Sequence, residues 1–227
     1  MNEAPTTRIV PFAMALTSGG ILFALYQAIR PFHDTIETMA SPAWLVSHLL
    51  AIAGFVLIAT GLLALPRTVH GRLSHTWASR AVVVTWLGTG LTLAYYGTET
   101  FGLWLLARHD LAAETTTALT FAELFHSDPV ATGVFAIGLA LLGVGALVAA
   151  LACYRSGHAS PLSGTPFALG FLLLIPQFFT PQPVRIVHGV LVAVGCVWIT
   201  VAMLRAATRP NSTSPTTARK ADTAGGQ

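Results

Sequence analysis

The chain has 227 residues, of which 54% are hydrophobic and 9% are charged, and its mean hydropathy is +0.68. Soluble domains carry about 25% charged residues, so this composition excludes a soluble globular protein and predicts an integral membrane protein. The formal net charge of +3 comes from scattered basic residues, a distribution that does not indicate a nucleic-acid partner.

Six apolar segments approach the length of about 20 residues that a helix needs to cross the hydrocarbon. The fifth of them is short and contains Pro166 and Pro176, so it predicts a thin or kinked span, or a re-entrant piece. We interpret the first segment as an uncleaved helix and not as a signal peptide, because it is not followed by a small-x-small cleavage site and a polar region. In chain order the segments cover 9–30, 43–65, 81–106, 130–153, 166–180 and 185–204.

The charges of the connecting loops predict the orientation of these segments. Residues 66–80 and 154–165 contain arginine but no acid, whereas residues 31–42 and 107–129 contain aspartate and glutamate. Arginine and lysine accumulate on the cytoplasmic side of a membrane. With six spans, both basic loops and the basic C-terminal tail fall on that side.

The predicted fold is therefore all-α, a bundle of six transmembrane helices arranged as three helical hairpins with both termini in the cytoplasm. Residues 1–8 form a short cytoplasmic N-terminus, and residues 9–205 form the transmembrane domain. Residues 206–227 are polar and lack large apolar groups, which predicts a disordered cytoplasmic tail. A lysine-poor chain rich in Ala, Leu, Thr and Gly indicates a high-GC bacterium, so we expect the bacterial inner membrane.

Polar residues recur at similar depth near the outer ends of the segments. Each outgoing segment carries Gln or Glu in its outer third, and a His lies near the start of each returning one. Polar groups at membrane depth face the bundle interior, because exposure to lipid costs several kcal/mol. We therefore expect a common pocket beneath the outer surface. Its predicted members are Gln27, His48, Tyr95, Tyr96, Glu99, Glu123, His126, Gln177 and His188.

His48 and Glu99 are the strongest candidates for chemistry, since a lone carboxylate in hydrocarbon neutralises or finds a partner. The pair is also compatible with a purely structural interhelical hydrogen bond, worth roughly 1 kcal/mol. Imidazole and carboxylate ligands suit zinc, copper and iron. The sequence thus predicts a transition-metal site formed by His48, Glu99, His126 and His188, which could act on a lipid or an amphipathic small molecule.

Other functions fit the same residues. His48 and His188 could be the axial ligands of a b-type haem, because both lie within apolar helices. A small transporter or proton path is a further alternative, although the inner halves of the segments hold no matching ionisable groups. A structural or accessory membrane protein is the remaining one. The sequence does not decide whether the chain is an enzyme.

Two stretches resemble segments of uncharacterised six-helix membrane proteins of high-GC bacteria, over roughly the first half of the chain. The first is "PAWLVSHLLAIAGFVLIATGLLALP", which opens with W-x-x-x-H, and the second is "LAYYGTETFGLWLLARH", which carries E-T-F at an outer helix end. The resemblance implies a six-helix membrane protein with an outer His and Glu, at His48 and Glu99. It implies no particular activity.

Overall fold

The computed structural model describes residues 5–156 and 162–208 as helices joined by short turns, and no strand occurs among these residues. The predicted all-α fold class is confirmed. The predicted tail begins at residue 206, and its residues from 209 onward lie outside the described part of the chain. The helices are α1 (Pro5–Ile29), α2 (Ile36–Met39), α3 (Pro42–Gly61), α4 (Leu65–Thr68), α5 (Arg72–Gly97), α6 (Trp104–Ala113), α7 (Thr117–Ser127), α8 (Pro129–Ser156), α9 (Thr165–Leu172) and α10 (Gln182–Thr208).

Within the described part of the chain, four helices are long and apolar enough to cross a membrane. They comprise α1, α8, α10 and the rod formed by α3 and α4, which a 3-10 turn at Leu62–Ala64 makes continuous. The corresponding spans are Thr7–Ile29, Pro42–Thr68, Pro129–Ser156 and Gln182–Thr208.

The third predicted segment is part of a longer rod. Helix α5 passes through a π-helical turn at Thr98–Leu103 directly into α6. The rod therefore continues seven residues beyond the predicted end at residue 106, to Ala113. Helix α5 has 26 residues, enough to span, but its buried face carries several threonines and it is not one of the four apolar helices.

The fifth predicted segment is broken. Helix α9 has eight residues, a length of about 12 Å, whereas the hydrocarbon layer is about 30 Å thick. A turn and a 3-10 helix at Pro176–Phe179 follow it. Pro176 has no amide hydrogen to donate to the carbonyl of Leu172, which disfavours a continuous helix at this point. The segment is thus not one regular spanning helix.

The four long apolar helices, α5 and the short α9 pack in a closed ring. Going round the ring, α1 packs on α3, α3 on α5, α5 on α8, α8 on α9, α9 on α10, and α10 on α1. Helices α5 and α8 approach each other closely, and a Cβ added at Gly138 would lie 2.7 Å from Thr92 Oγ1 and 2.9 Å from its amide nitrogen. Small residues permit such backbone contact between membrane helices.

A small cap covers the end of the ring at which α1 stops and α3 starts. It consists of α2, α6 and α7, which surround a second apolar cluster centred on Trp44, a residue with no exposed surface. The cap matters for the site because it carries α7, and with it His126, over the buried π-helical turn. The other buried members of the cluster are Met39, Leu103, Ala107, Ala118 and Ala122.

Candidate functional site

A cavity of about 450 Å³ lies under the cap, between the ends of the ring helices that the cap covers. Ionisable and aromatic side chains form most of its wall, which is the composition of a small-molecule site. The charged or titratable residues at its wall, apart from tyrosines, are Arg30, Asp34, His48, Glu99, His126 and Arg185. The aromatic ones are Tyr26, Phe32, Tyr95, Tyr96, Phe135, Phe178 and Phe179.

Glu99 occupies the centre of this arrangement and is 6% exposed. It lies in the π-helical turn at Thr98–Leu103, a kind of turn that is frequent at functional sites. Its Oε1 atom is 2.6 Å from His126 Nε2, and its Oε2 atom is 3.5 Å from His48 Nε2. Its main-chain carbonyl accepts a hydrogen bond of 2.8 Å from Trp44 Nε1. The carboxylate is therefore held between two imidazoles on a backbone that is itself anchored.

His48 is oriented by the first turn of α3. Ser41 caps this helix by accepting a hydrogen bond from the amide of Trp44, and Pro42 is its first residue. The His48 Nδ1 atom lies 2.7 Å from the Trp44 carbonyl. A carbonyl oxygen can only accept, so Nδ1 carries the hydrogen, and in the neutral ring Nε2 has a free electron pair.

Two hydrogen-bond acceptors consequently face each other within the site. When His48 is neutral, its Nε2 lone pair meets Glu99 Oε2 across 3.5 Å, and Oε2 has no hydrogen-bond partner in the described structure. A separation of 3.5 Å is too long for a well-formed hydrogen bond. A proton on either group, or a donor group of a ligand, would satisfy both.

His126 reaches Glu99 from the cap. The buried Asp110 of α6 accepts hydrogen bonds from the amide of Ala118, at 2.6 Å, and from the hydroxyl of Thr115, and so fixes the start of α7. The His126 side chain is 35% exposed. Its hydrogen bond to Glu99 raises the pKa of His126 above its usual value. The imidazolium form of His126 is therefore the favoured partner of the carboxylate.

Aromatic rings separate the centre of the site from water. The His48 ring packs against Trp44 at 4.4 Å, Tyr26 at 5.8 Å and Tyr96 at 6.0 Å between centroids. The Tyr96 hydroxyl donates to the Tyr26 hydroxyl across 3.1 Å. Excluding water in this way strengthens the electrostatic interactions of the buried carboxylate.

Five of the predicted pocket residues meet at the cavity, namely His48, Tyr95, Tyr96, Glu99 and His126. The other four lie elsewhere. Glu123 is exposed on α7. Gln27 and Gln177 are buried and bond to each other, with Gln27 Nε2 donating to Gln177 Oε1 across 3.3 Å. His188 Nε2 donates to the Gly170 carbonyl at 2.7 Å.

The placement of His188 bears on the haem prediction. Phe23 packs on His188 at 6.0 Å and on Tyr26 at 5.7 Å, and Tyr26 in turn packs on His48. Aromatic side chains thus occupy the path between the two proposed axial ligands, and both imidazoles already bond to main-chain carbonyls. The structure thus gives each imidazole a partner other than an iron, and the haem site stays a prediction.

The metal prediction also lacks a formed ligand set. Over residues 5–156 and 162–208, no group of three or more His, Cys, Asp or Glu side chains is arranged to hold a metal ion. The direct bond between His126 and Glu99 uses the electron pairs that a metal would need. The two cysteines, Cys153 and Cys196, are buried and free, and neither lies at the cavity.

The predicted pocket did not include Arg30, Asp34 or Arg185, which all line the cavity. The positions of the two arginines could have indicated their place in the site. Both lie at the predicted outer ends of spans, whereas basic residues prefer the cytoplasmic side. Trp44, whose ring is fully buried beside His48, was not among the predicted pocket residues either.

The arrangement can bind a small molecule, donate hydrogen bonds to it from arginines and tyrosines, and exchange a proton at Glu99. Comparison with known proteins found no matching family model, no similar curated protein and no similar solved structure. The geometry of the cavity is therefore the basis on which a function is assigned.

Proposed function

We propose that this chain is a multi-pass membrane protein that binds a small molecule in the cavity under the cap and exchanges a proton with it through Glu99, assisted by His48 and His126. One observation carries the proposal: the buried Glu99 Oε2 and His48 Nε2 face each other across 3.5 Å at the cavity wall, and Oε2 has no donor in the described structure. A buried acceptor without a partner costs about 1–3 kcal/mol, so the site favours a proton or a ligand donor there.

The three groups have different roles in this proposal. His126 neutralises Glu99 through Oε1 and leaves Oε2 for exchange. His48 is held by its Nδ1 hydrogen bond to Trp44, so its Nε2 receives or returns the proton. An acidic O–H or a protonated nitrogen of a ligand placed against Oε2 and Nε2 would transfer its hydrogen to one of these two acceptors, and the ligand atom would then accept a hydrogen bond from the group that it has protonated.

For the architecture we propose six membrane crossings arranged as three hairpins, with both termini in the cytoplasm of a bacterium. The four apolar helices supply four of them, and α5 has sufficient length for a fifth. The segment from α9 to the 3-10 helix supplies the sixth as a broken span. Non-helical backbone at membrane depth is tolerated where it lines a cavity, and Ile175 and Phe178 do line this one.

A hydrophobic carbodiimide tests the proposal directly. Dicyclohexylcarbodiimide reacts with a protonated carboxyl in an apolar site: the acid O–H adds across a C=N bond and gives a neutral O-acylisourea. Mass spectrometry of the purified protein should find the adduct on Glu99, in an amount that increases as the pH falls. The Glu99→Gln variant should lose this adduct. Glu123→Gln, which removes an exposed carboxylate three residues from His126, should keep it.

An absence of the Glu99 adduct at every pH would contradict the proposal, provided that a water-soluble carbodiimide still labels the exposed carboxylates of the same sample. The structural alternative would then account for the His–Glu contacts. Elemental analysis of the parent protein and of His48→Ala distinguishes a metal site from the proton-exchange site and from the structural alternative. A Soret band in the absorption spectrum would reveal haem.

A further inference from the structure

We infer that the cavity takes a single-chain amphiphile with one negative charge on its headgroup, a carboxylate or an alkyl phosphate, and that Arg30 and Arg185 bind that headgroup. This inference rests on the proposed function, because it names the class of molecule that the same cavity holds. It is carried by the charge of the cavity wall, the uncommitted donors of two arginines and the apolar side of the cavity.

The charges at the wall do not balance. Arg30 lies 3.3 Å from Asp34, and the imidazolium of His126 lies 2.6 Å from Glu99, so each carboxylate has a cation beside it. Arg185 is the remaining charged residue, and it forms no ion pair with a carboxylate in the part of the chain that the structure describes. The wall thus has one positive charge in excess when His126 is protonated, which matches a ligand with a single negative charge.

Both arginines are held in place yet have donors to spare. Arg185 uses its Nε atom on the Thr180 carbonyl at 3.1 Å and Nη2 on the Phe178 carbonyl at 2.6 Å. Arg30 bonds to the Pro31 carbonyl and to Asp34 at 3.4 and 3.3 Å. A guanidinium has five N–H donors, so each side chain can still donate to an anion. Paired N–H donors suit carboxylate and phosphate oxygens.

Arg185 also has an unusual position in its helix. It lies in the first turn of α10, where the helix dipole favours negative charge and disfavours an arginine. Its guanidinium stacks over the ring of Phe32 at 5.3 Å, and Phe32 lines the cavity as well. An anion bound at this point would be stabilised both by the guanidinium and by the helix terminus.

The far side of the cavity is apolar and suits a hydrocarbon chain. Phe135 and Leu139 of α8 face Ile175 and Phe178, and the Phe135 and Phe178 rings pack at 5.7 Å. Helix α8 packs extensively along α9 but only marginally against the 3-10 helix beyond it. Phe179 lies at this boundary and is 87% exposed. A hydrocarbon chain that leaves the cavity on this side would extend past Phe179 into lipid.

The size of the cavity limits the ligand. A volume of about 450 Å³ lies within the range of about 300–1,000 Å³ that is usual for small ligands. It accommodates a headgroup and part of one chain. A phospholipid with two chains and a large headgroup would need more room at the aromatic wall, so the single-chain amphiphile is the better fit.

Binding of tritiated hexadecanoate to the full chain in detergent micelles tests the inference. We expect saturable binding to one site, competition by hexadecyl phosphate, and poor competition by hexadecanol or acetate, which lack the charge or the chain. Arg185→Gln should weaken binding about tenfold or more, and Arg185→Lys should restore part of it. Arg155→Gln is the matched control, since Arg155 stacks on Trp77 at the opposite end of α8, and it should bind hexadecanoate like the parent.

Competition by hexadecanol equal to that by hexadecanoate, or parental binding in Arg185→Gln, would overturn the inference. If Arg185→Gln does not give a monodisperse protein, Arg30→Gln takes its place with the same expected loss. The carbodiimide experiment separates the two proposals. If Glu99 is labelled but hexadecanoate does not bind, only the inference of an anionic amphiphile is contradicted. If hexadecanoate binds in an arginine-dependent way but Glu99 is not labelled, only the proposed proton exchange is contradicted.

Discussion

The Nε2 atom of His126 lies 2.6 Å from Oε1 of Glu99 and joins a cap helix to a carboxylate buried between the ring helices. The contact spans two very different environments, since His126 is one-third exposed and Glu99 is almost completely buried. It therefore couples the position of the cap to the protonation of the site.

This contact predicts a pH dependence of stability. Because Glu99 raises the pKa of His126, the stabilisation is complete below the unfolded pKa of about 6.5 and is lost as the pH rises through the higher folded value. His126→Gln should remove about 1 kcal/mol just below about pH 6.5, after allowance for solvent screening, and should flatten the profile of the unfolding temperature above about pH 6.5. His75→Gln, at an exposed position of α5, should leave this profile unchanged; an equal change in both variants would contradict the assignment.

Trp44 should stabilise the site through its indole N–H. Trp44→Phe leaves the Glu99 carbonyl without the donor that it now has at 2.8 Å, at a cost of about 1–3 kcal/mol. The loss should appear as a lower unfolding temperature and lower hexadecanoate affinity. Trp86→Phe, at an exposed position on α5, is the control and should change neither. A Trp44→Phe protein as stable as the parent would show that this hydrogen bond does not anchor the turn.

Asp110 should hold α7 in register. Asp110→Ala removes the acceptor of the Ala118 amide, and loss of such a helix cap costs about 0.5–2 kcal/mol. Amide hydrogen exchange should become faster over residues 117–127. Asp128→Ala offers a matched comparison, because Asp128 accepts from the amides of Val130 and Ala131 at the start of α8. Its effect should be confined to α8, and faster exchange in α7 from both variants would argue against a specific role for Asp110.

The contact between α5 and α8 should be sensitive to a single methyl group. Gly138→Ala places a Cβ 2.9 Å from the Thr92 backbone nitrogen, and such overpacking costs about 1–3 kcal/mol. Gly133→Ala adds the same group to the same helix with nothing within 4 Å, and it should be neutral or stabilising by up to about 1 kcal/mol. Thermal unfolding of the two variants in detergent checks the difference, and equal stabilities would contradict this packing.

The end of the bundle at which the site lies could be predicted from the sequence, and the direction of each side chain around its helix could not. His48, Glu99 and His188 were all placed at similar depth by counting residues along their helices. His188, however, turns toward α9. That helix ends at Leu172, and the amide of Leu174 bonds to Phe171, which leaves the Gly170 carbonyl to accept from His188. Which way a side chain faces depends on the neighbouring helix, and this neighbour ends early.

Hydropathy likewise predicted where apolar segments lie but not whether each is one helix. Residues 166–180 are apolar throughout, yet Pro176 interrupts the hydrogen bonding within them. The continuation of the third segment into α6 was missed as well, because α6 is stabilised by its packing on α2 and α7 within the cap. The role of Arg30 and Arg185 depends on how the ends of α1 and α10 meet in space.

The most direct test of proton exchange at Glu99 is an infrared difference spectrum of the protein between a high and a low pH. The account predicts that the carbonyl-stretching band of a protonated carboxylic acid grows at low pH, shifts in D₂O and persists in Glu123→Gln, but is missing from Glu99→Gln. Identical difference spectra for the parent and Glu99→Gln would mean that Glu99 never takes up a proton and would contradict the account.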